Sequence, residues 1–102
     1  MNNKELLEYL DNNSDVIKLF KSKSIDYLNE KNSNRPKKKK HTSERINREA
    51  DNMVKQFIDN LYNQLKTAID PSPFNSREEW LNFFNENEVI ENLEDSIADM
   101  EF

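Results

Sequence analysis

The sequence predicts an all-α protein, a small helical fold with one long central amphipathic helix, shorter flanking helices and no sheet. Three observations carry this expectation. Glycine is absent from the 102 residues, and glycine supplies the positive-φ turns of tight hairpins. No stretch alternates apolar and polar residues with period two. Residues 42–69 instead repeat apolar side chains at steps of three and four, over about seven turns.

Each element follows from local chemistry. In "KELLEYLD", residues 4–11, Leu6, Leu7 and Leu10 fall at helical spacing, with Asn3 as a candidate cap. "NNS" interrupts, and Ser14 is placed to cap a second segment whose apolar stripe is Val16, Ile17, Leu19, Phe20, Tyr27 and Leu28. The two pieces read either as one bent helix or as a helical pair. Residues 30–41, "EKNSNRPKKKKH", hold no apolar residue except Pro36, so they bury little and read as a solvated linker. Pro36 disfavours helix at Arg35.

Thr42 or Ser43 then caps the long helix. Its stripe is Ile46, Ala50, Met53, Val54, Phe57, Ile58, Leu61, Leu65, Ala68 and Ile69. "DPSP" stops it, because two prolines in four residues cannot continue a helix. "SREEW" matches a capping box, with Ser76 as cap and Glu79 three residues on. "NENE" weakens that helix near residues 85–87. A last segment places Val89, Ile90, Leu93, Ile97 and Met100 on one face. The expected organisation is an N-terminal helical segment over residues 1–29, a basic linker over 30–41 and a C-terminal helical region over 42–102.

Composition narrows the function. The apolar fraction is 34%, below the roughly 45–50% of a typical domain, so the core is expected to be thin. Help from a homodimer along helix 42–69 or from a partner is expected. There is no cysteine, which excludes disulfides and thiolate metal sites. The start, "MNNKELLEYLDNN", lacks a basic stretch followed by an apolar one, so it is not a signal peptide. No apolar run reaches the ~20 residues of a membrane span. A cytoplasmic protein is expected. The abundance of Asn and Lys fits an AT-rich genome, such as that of a low-GC bacterial host cell, its plasmids or its phages.

Charge is sorted by segment. The chain carries −5 overall. Residues 18–48 nevertheless hold eleven Lys and Arg against three acids, while residues 70–102 hold one Arg against ten acids. The basic middle and acidic tail make the sequence an electrical dipole. The run Lys37, Lys38, Lys39 and Lys40, with Arg45 and Arg48, has three readings: a solubilising linker, a contact to nucleic-acid phosphates, or a nuclear localisation signal. The tail reads as a mimic of nucleic-acid charge, as a strap on the basic segment, or as a solvated helix face. Phe74, Trp80, Phe83 and Phe84 cluster as core or as an aromatic anchor for a partner.

Catalysis is not expected. The single histidine, His41, reads as an exposed linker residue whose protonation the neighbouring lysines disfavour. "NENEVIENLED" is rich in oxygen ligands but lacks the glycine and spacing of a calcium loop. No cofactor or metal is expected.

In its size, charge sorting and composition the chain resembles the small acidic inhibitors encoded by phages and plasmids, of which anti-CRISPR proteins are one class. Many of these act by charge mimicry. The resemblance implies that Glu78, Glu79, Glu86, Glu88, Glu91, Glu94, Asp95 and Asp99 contact a basic cleft of a host complex, such as an RNA-guided nuclease. "SREEWLNFF" is also similar, over nine residues, to a helical stretch of antirestriction-type plasmid proteins. The leading expectation is a non-enzymatic inhibitor of a nucleic-acid-handling host complex. The alternatives are a DNA-binding accessory protein using residues 18–48 and an assembly module built on helix 42–69.

Overall fold

A computed structural model of the chain describes residues 1–69 and 77–102. Among the described residues there are five helices and no strand: α1 (Asn3–Asn13), α2 (Val16–Ser33), α3 (Ser43–Ile69), α4 (Arg77–Glu86) and α5 (Val89–Ala98). A short 3-10 turn at Lys37–Lys39 lies between α2 and α3. The helix stop expected at residues 70–73, Phe74 and the Ser76 cap lie outside the described residues.

Local chemistry explains the helix starts. α1 opens on a capping box. The Asn2 side chain accepts from Glu5 N at 2.8 Å, and Asn2 N donates to Glu5 Oε1 at 3.3 Å. The cap is therefore one residue earlier than the expected Asn3. Ser14 breaks the chain in extended backbone, its hydroxyl donating to Leu10 O and accepting from Val16 N. α1 and α2 are thus separate helices, packed against each other. α2 continues to Ser33, past the expected boundary at residue 29. Thr42 caps α3 by accepting from Arg45 N at 3.2 Å.

The core joins all five helices. Leu6 and Leu10 of α1, Val16 and Phe20 of α2, the Val54–Ile58–Leu61–Leu65 stripe of α3, Trp80 and Phe84 of α4, and Val89 and Ile97 of α5 form one buried cluster. Fully burying one such aliphatic or phenyl side chain contributes about 1.5–3 kcal/mol. Leu19, expected in the stripe of α2, is 38% exposed. The regions 1–29 and 42–102 therefore share one core. Of the expected stripe of α3, Ile46, Ala50, Val54, Ile58, Leu61 and Leu65 are buried, Met53, Phe57 and Ile69 are half-buried, and Ala68 is exposed.

The molecule is long, 52 × 24 × 21 Å, with a radius of gyration of 16.0 Å, against about 13 Å for a compact chain of this length. The elongation comes from α2 and α3. They run antiparallel, with Phe20 stacked on Phe57 at 4.4 Å and Lys21 paired with Asp51 at 2.9 Å. Toward the link between them, Ile46 and Ala50 remain buried but fall outside the main cluster. The two helices end there as a narrow arm.

Candidate functional site: a basic arm and an acidic face

The tip of the arm gathers the basic residues. Lys37, Lys38, Lys39, Lys40, Arg45 and Arg48 are all exposed. Lys37, Lys38 and Lys39 form the 3-10 turn, which starts after Pro36 and is closed by Lys39 N donating to Pro36 O at 2.8 Å, and Lys40 follows it in extended backbone. Proline at that position sets the φ the turn needs.

The link is clamped rather than merely solvated. Asn32, on the last turn of α2, accepts from His41 N at 2.8 Å and donates to His41 O at 3.2 Å. Both backbone groups of His41 are thereby satisfied by one side chain. Arg35 Nη1 lies 2.8 Å from His41 Nδ1 and also contacts Nε2. Glu49 Oε1 sits 3.5 Å from Nδ1 and 3.3 Å from Arg45 Nε. The His41 side chain is only 15% exposed, so it is not the exposed linker residue the sequence suggested. Its pKa is lowered, first by desolvation and then by Arg35 and Arg45, with Glu49 opposing and Lys31 adding to the lowering. An arginine only donates, and a neutral imidazole accepts at one nitrogen, so only one of the two ring nitrogens accepts from Arg35, while a protonated Nδ1 would face Glu49.

Four lysines, clamped at both ends of their turn, give a compact cationic tip. Such a tip neutralises phosphates without reading base sequence.

The acidic residues follow α4, a short turn and α5. Glu78, Glu79 and Glu86 are exposed on α4; Glu88 occupies the turn; Glu91 and Asp95 are exposed on α5 and Asp99 just beyond it. Glu94 is half-buried. Five carboxylates from Glu88 to Asp99 are spread over about 16 Å of helix axis, roughly one per 4 Å. That approaches the charge of one nucleic-acid strand, about one per 3.4 Å. Glu88 adopts φ 50° and ψ 42°, a left-handed backbone that a chain without glycine must assign to another residue.

Basic segment and acidic tail meet at one point only among the described ion and hydrogen-bond contacts. Lys23 Nζ donates to Ala98 O at 2.7 Å and to Met100 O at 3.0 Å, placing a cation on the C-terminal carbonyls of α5. Among the described residues no ion pair joins residues 37–40 to α5. The tail is therefore held by a backbone clasp and by Phe102 against Phe20 and Tyr27, which leaves Glu88, Glu91, Asp95 and Asp99 exposed.

Of the two readings of the aromatic cluster, Trp80 and Phe84 follow the core one. Trp80 is 1% and Phe84 3% exposed. Trp80 stacks on Tyr62 at 5.4 Å and Phe84 on Tyr9 at 5.2 Å. Both serve the core, because α4 turns its apolar face inward onto α3 and α1. Phe83 is half-buried, and Phe74 lies outside the described residues.

Sequence reading missed the Asn32–Arg35–His41–Glu49 knot and the Lys23 clasp. The knot left a faint signal, Asn32 and Arg35 just before Pro36 and within nine residues of the only histidine. The clasp left none, since Lys23 and Ala98 are 75 residues apart. Among the described residues no cluster of His, Asp or Glu is arranged to hold a metal ion, and no helix is long and apolar enough to cross a membrane. No protein-family model matches the chain, and none of the curated proteins or solved structures compared with it matches either.

Proposed function

We propose that the chain is a non-enzymatic binding protein of the mobile-element inhibitor kind, acting on a nucleic-acid-handling host complex of which an RNA-guided nuclease is the named example. The acidic face of α4 and α5 occupies a basic protein cleft, and the tip formed by residues 37–40 touches nucleic-acid phosphates in the same complex. One observation supports this above the others: the two charged surfaces occupy separate parts of an elongated molecule and are not spent on each other. The cytoplasm of the bacterial host is the matching location.

The test is inhibition of target cleavage by a panel of RNA-guided nucleases. Reversing the exposed Glu88, Glu91, Asp95 and Asp99 to Lys is expected to abolish inhibition at low salt. Unchanged inhibition by that variant, or a panel untouched by the wild-type chain, removes the proposal.

The exposed cationic tip favours a second reading, a DNA-binding accessory factor. In that case the isolated chain binds bare duplex. Four phosphate contacts give a slope of about −3.6 in log K against log salt, and replacing residues 37–40 by Ala flattens it. The inhibitor reading expects only weak binding to bare duplex.

A further inference from the structure

A groove of about 880 Å³ lies between α1, α2 and α3, away from the basic tip and from α4 and α5. Its floor is apolar, formed by Leu7, Ile17, Val54 and Ile58. One wall is the face of α3 that carries Asp51, Lys55 and Asp59, four residues apart. Two cross-links stiffen it. Lys21 pairs with Asp51 at 2.9 Å, and Asn3 Nδ2 donates to Asp59 Oδ1 at 2.7 Å. These ties stand eight residues apart on α3, about 12 Å along its axis.

The rim has a sign. Lys4 from α1, Lys18 from α2 and Lys55 from α3 each border the groove and make no ion pair among the described residues. Lys21 and Asp51 cancel one another, which leaves three free cations against Asp11 and the hydrogen-bonded Asp59. On a chain of net −5, three lysines converging from three helices on an apolar floor run against the general charge. They stand on three different helices around the groove rather than in one cluster on one helix. A helix suits this arrangement: its apolar residues at i, i+3, i+4 and i+7 extend over about 10 Å, matching the groove, while carboxylates flank the stripe on both sides.

We propose that this groove is a docking site for an acidic amphipathic helix of a protein partner. The apolar stripe sits on Leu7, Ile17, Val54 and Ile58, and its carboxylates reach Lys4, Lys18 and Lys55. The surface is distinct from both charged surfaces described above and stands whether or not they act on a nuclease.

The test uses the full chain and a fluorescein-labelled 12-residue peptide with leucine at positions 2, 5, 6 and 9 and glutamate at most of the rest, chosen to match this helical spacing. A twin carries lysine for every glutamate. Anisotropy is expected to show binding of the acidic peptide and little of the twin. The combined variant Lys4→Glu, Lys18→Glu, Lys55→Glu is expected to weaken the acidic peptide roughly tenfold, three exposed pairs together giving about that factor. These side chains are exposed, and circular dichroism checks that the variant folds. A second variant, Leu7→Asp, checked for folding in the same way because Leu7 also packs against the core, is expected to weaken the acidic peptide as well. Four outcomes overturn the proposal: no binding of the acidic peptide; equal binding of the two peptides; displacement of the acidic peptide by sodium dodecanoate at equimolar concentration; or a mass in sedimentation that doubles with concentration unless the groove is mutated.

Discussion

Glu88 is a glutamate in left-handed backbone, φ 50°, where a non-glycine residue is strained by about 1–2 kcal/mol. Glu88→Gly relieves that strain and adds some freedom to the unfolded chain. The expected net gain is about 0.5–1 kcal/mol, which raises the melting temperature by about 2–6 °C. An unchanged or lowered melting temperature in a thermal scan counts against the strain. His41 makes the opposite kind of statement. Its pKa in the folded chain lies below the usual 6.5, so as pH falls below 6.5 the unfolded chain takes the proton first. Stability is therefore highest above 6.5 with respect to this group and declines as pH falls through the window beneath it. Urea denaturation at pH 7.5 and 5.5 is expected to show this loss, and His41→Gln is expected to reduce it. A variant whose pH dependence equals the wild type's disposes of this role for His41.

At the scale of elements, α5 is the least self-sufficient helix. It has ten residues, fewer than an isolated helix needs, so it depends on packing its apolar face, Val89, Ile90, Leu93 and Ile97, against the core. Val89 and Ile97 anchor it to the core, and Lys23 holds its C-terminal carbonyls. Lys23→Met keeps the aliphatic stem and removes the donor, at an expected cost of about 1 kcal/mol. Hydrogen exchange locates the effect. The last turn of α5 is expected to open several-fold faster while α3 is unchanged; equal rates would show the clasp to be incidental. Of these elements α3 was the most legible in sequence, because its stripe repeats for 27 residues. The sequence marked residues 85–87 as a weak point, and α4 ends at Glu86, but the left-handed Glu88 was not legible. The linker was half legible: its lysines are exposed as expected, while the clamp by Asn32 depended on α2 running four residues further.

Over the whole molecule, the elongated shape places the basic tip at the end of the arm formed by α2 and α3, clear of the main core. The acidic face runs along α4 and α5 over that core. Had α5 paired its carboxylates with residues 37–40, the exterior would be electrically bland. Lys23 instead uses backbone carbonyls to hold α5, so docking the tail does not neutralise it. The helical class, the long central element and the parcelling of charge were determined by the sequence alone, since each is a local property that composition and periodicity express directly. The burial of Trp80, the clamp on His41, the clasp on α5 and the lysine-rimmed groove were decided by the tertiary structure. Each depends on which helix faces place residues from different elements side by side, and a 3.6-residue period specifies that a face is apolar without specifying what it meets.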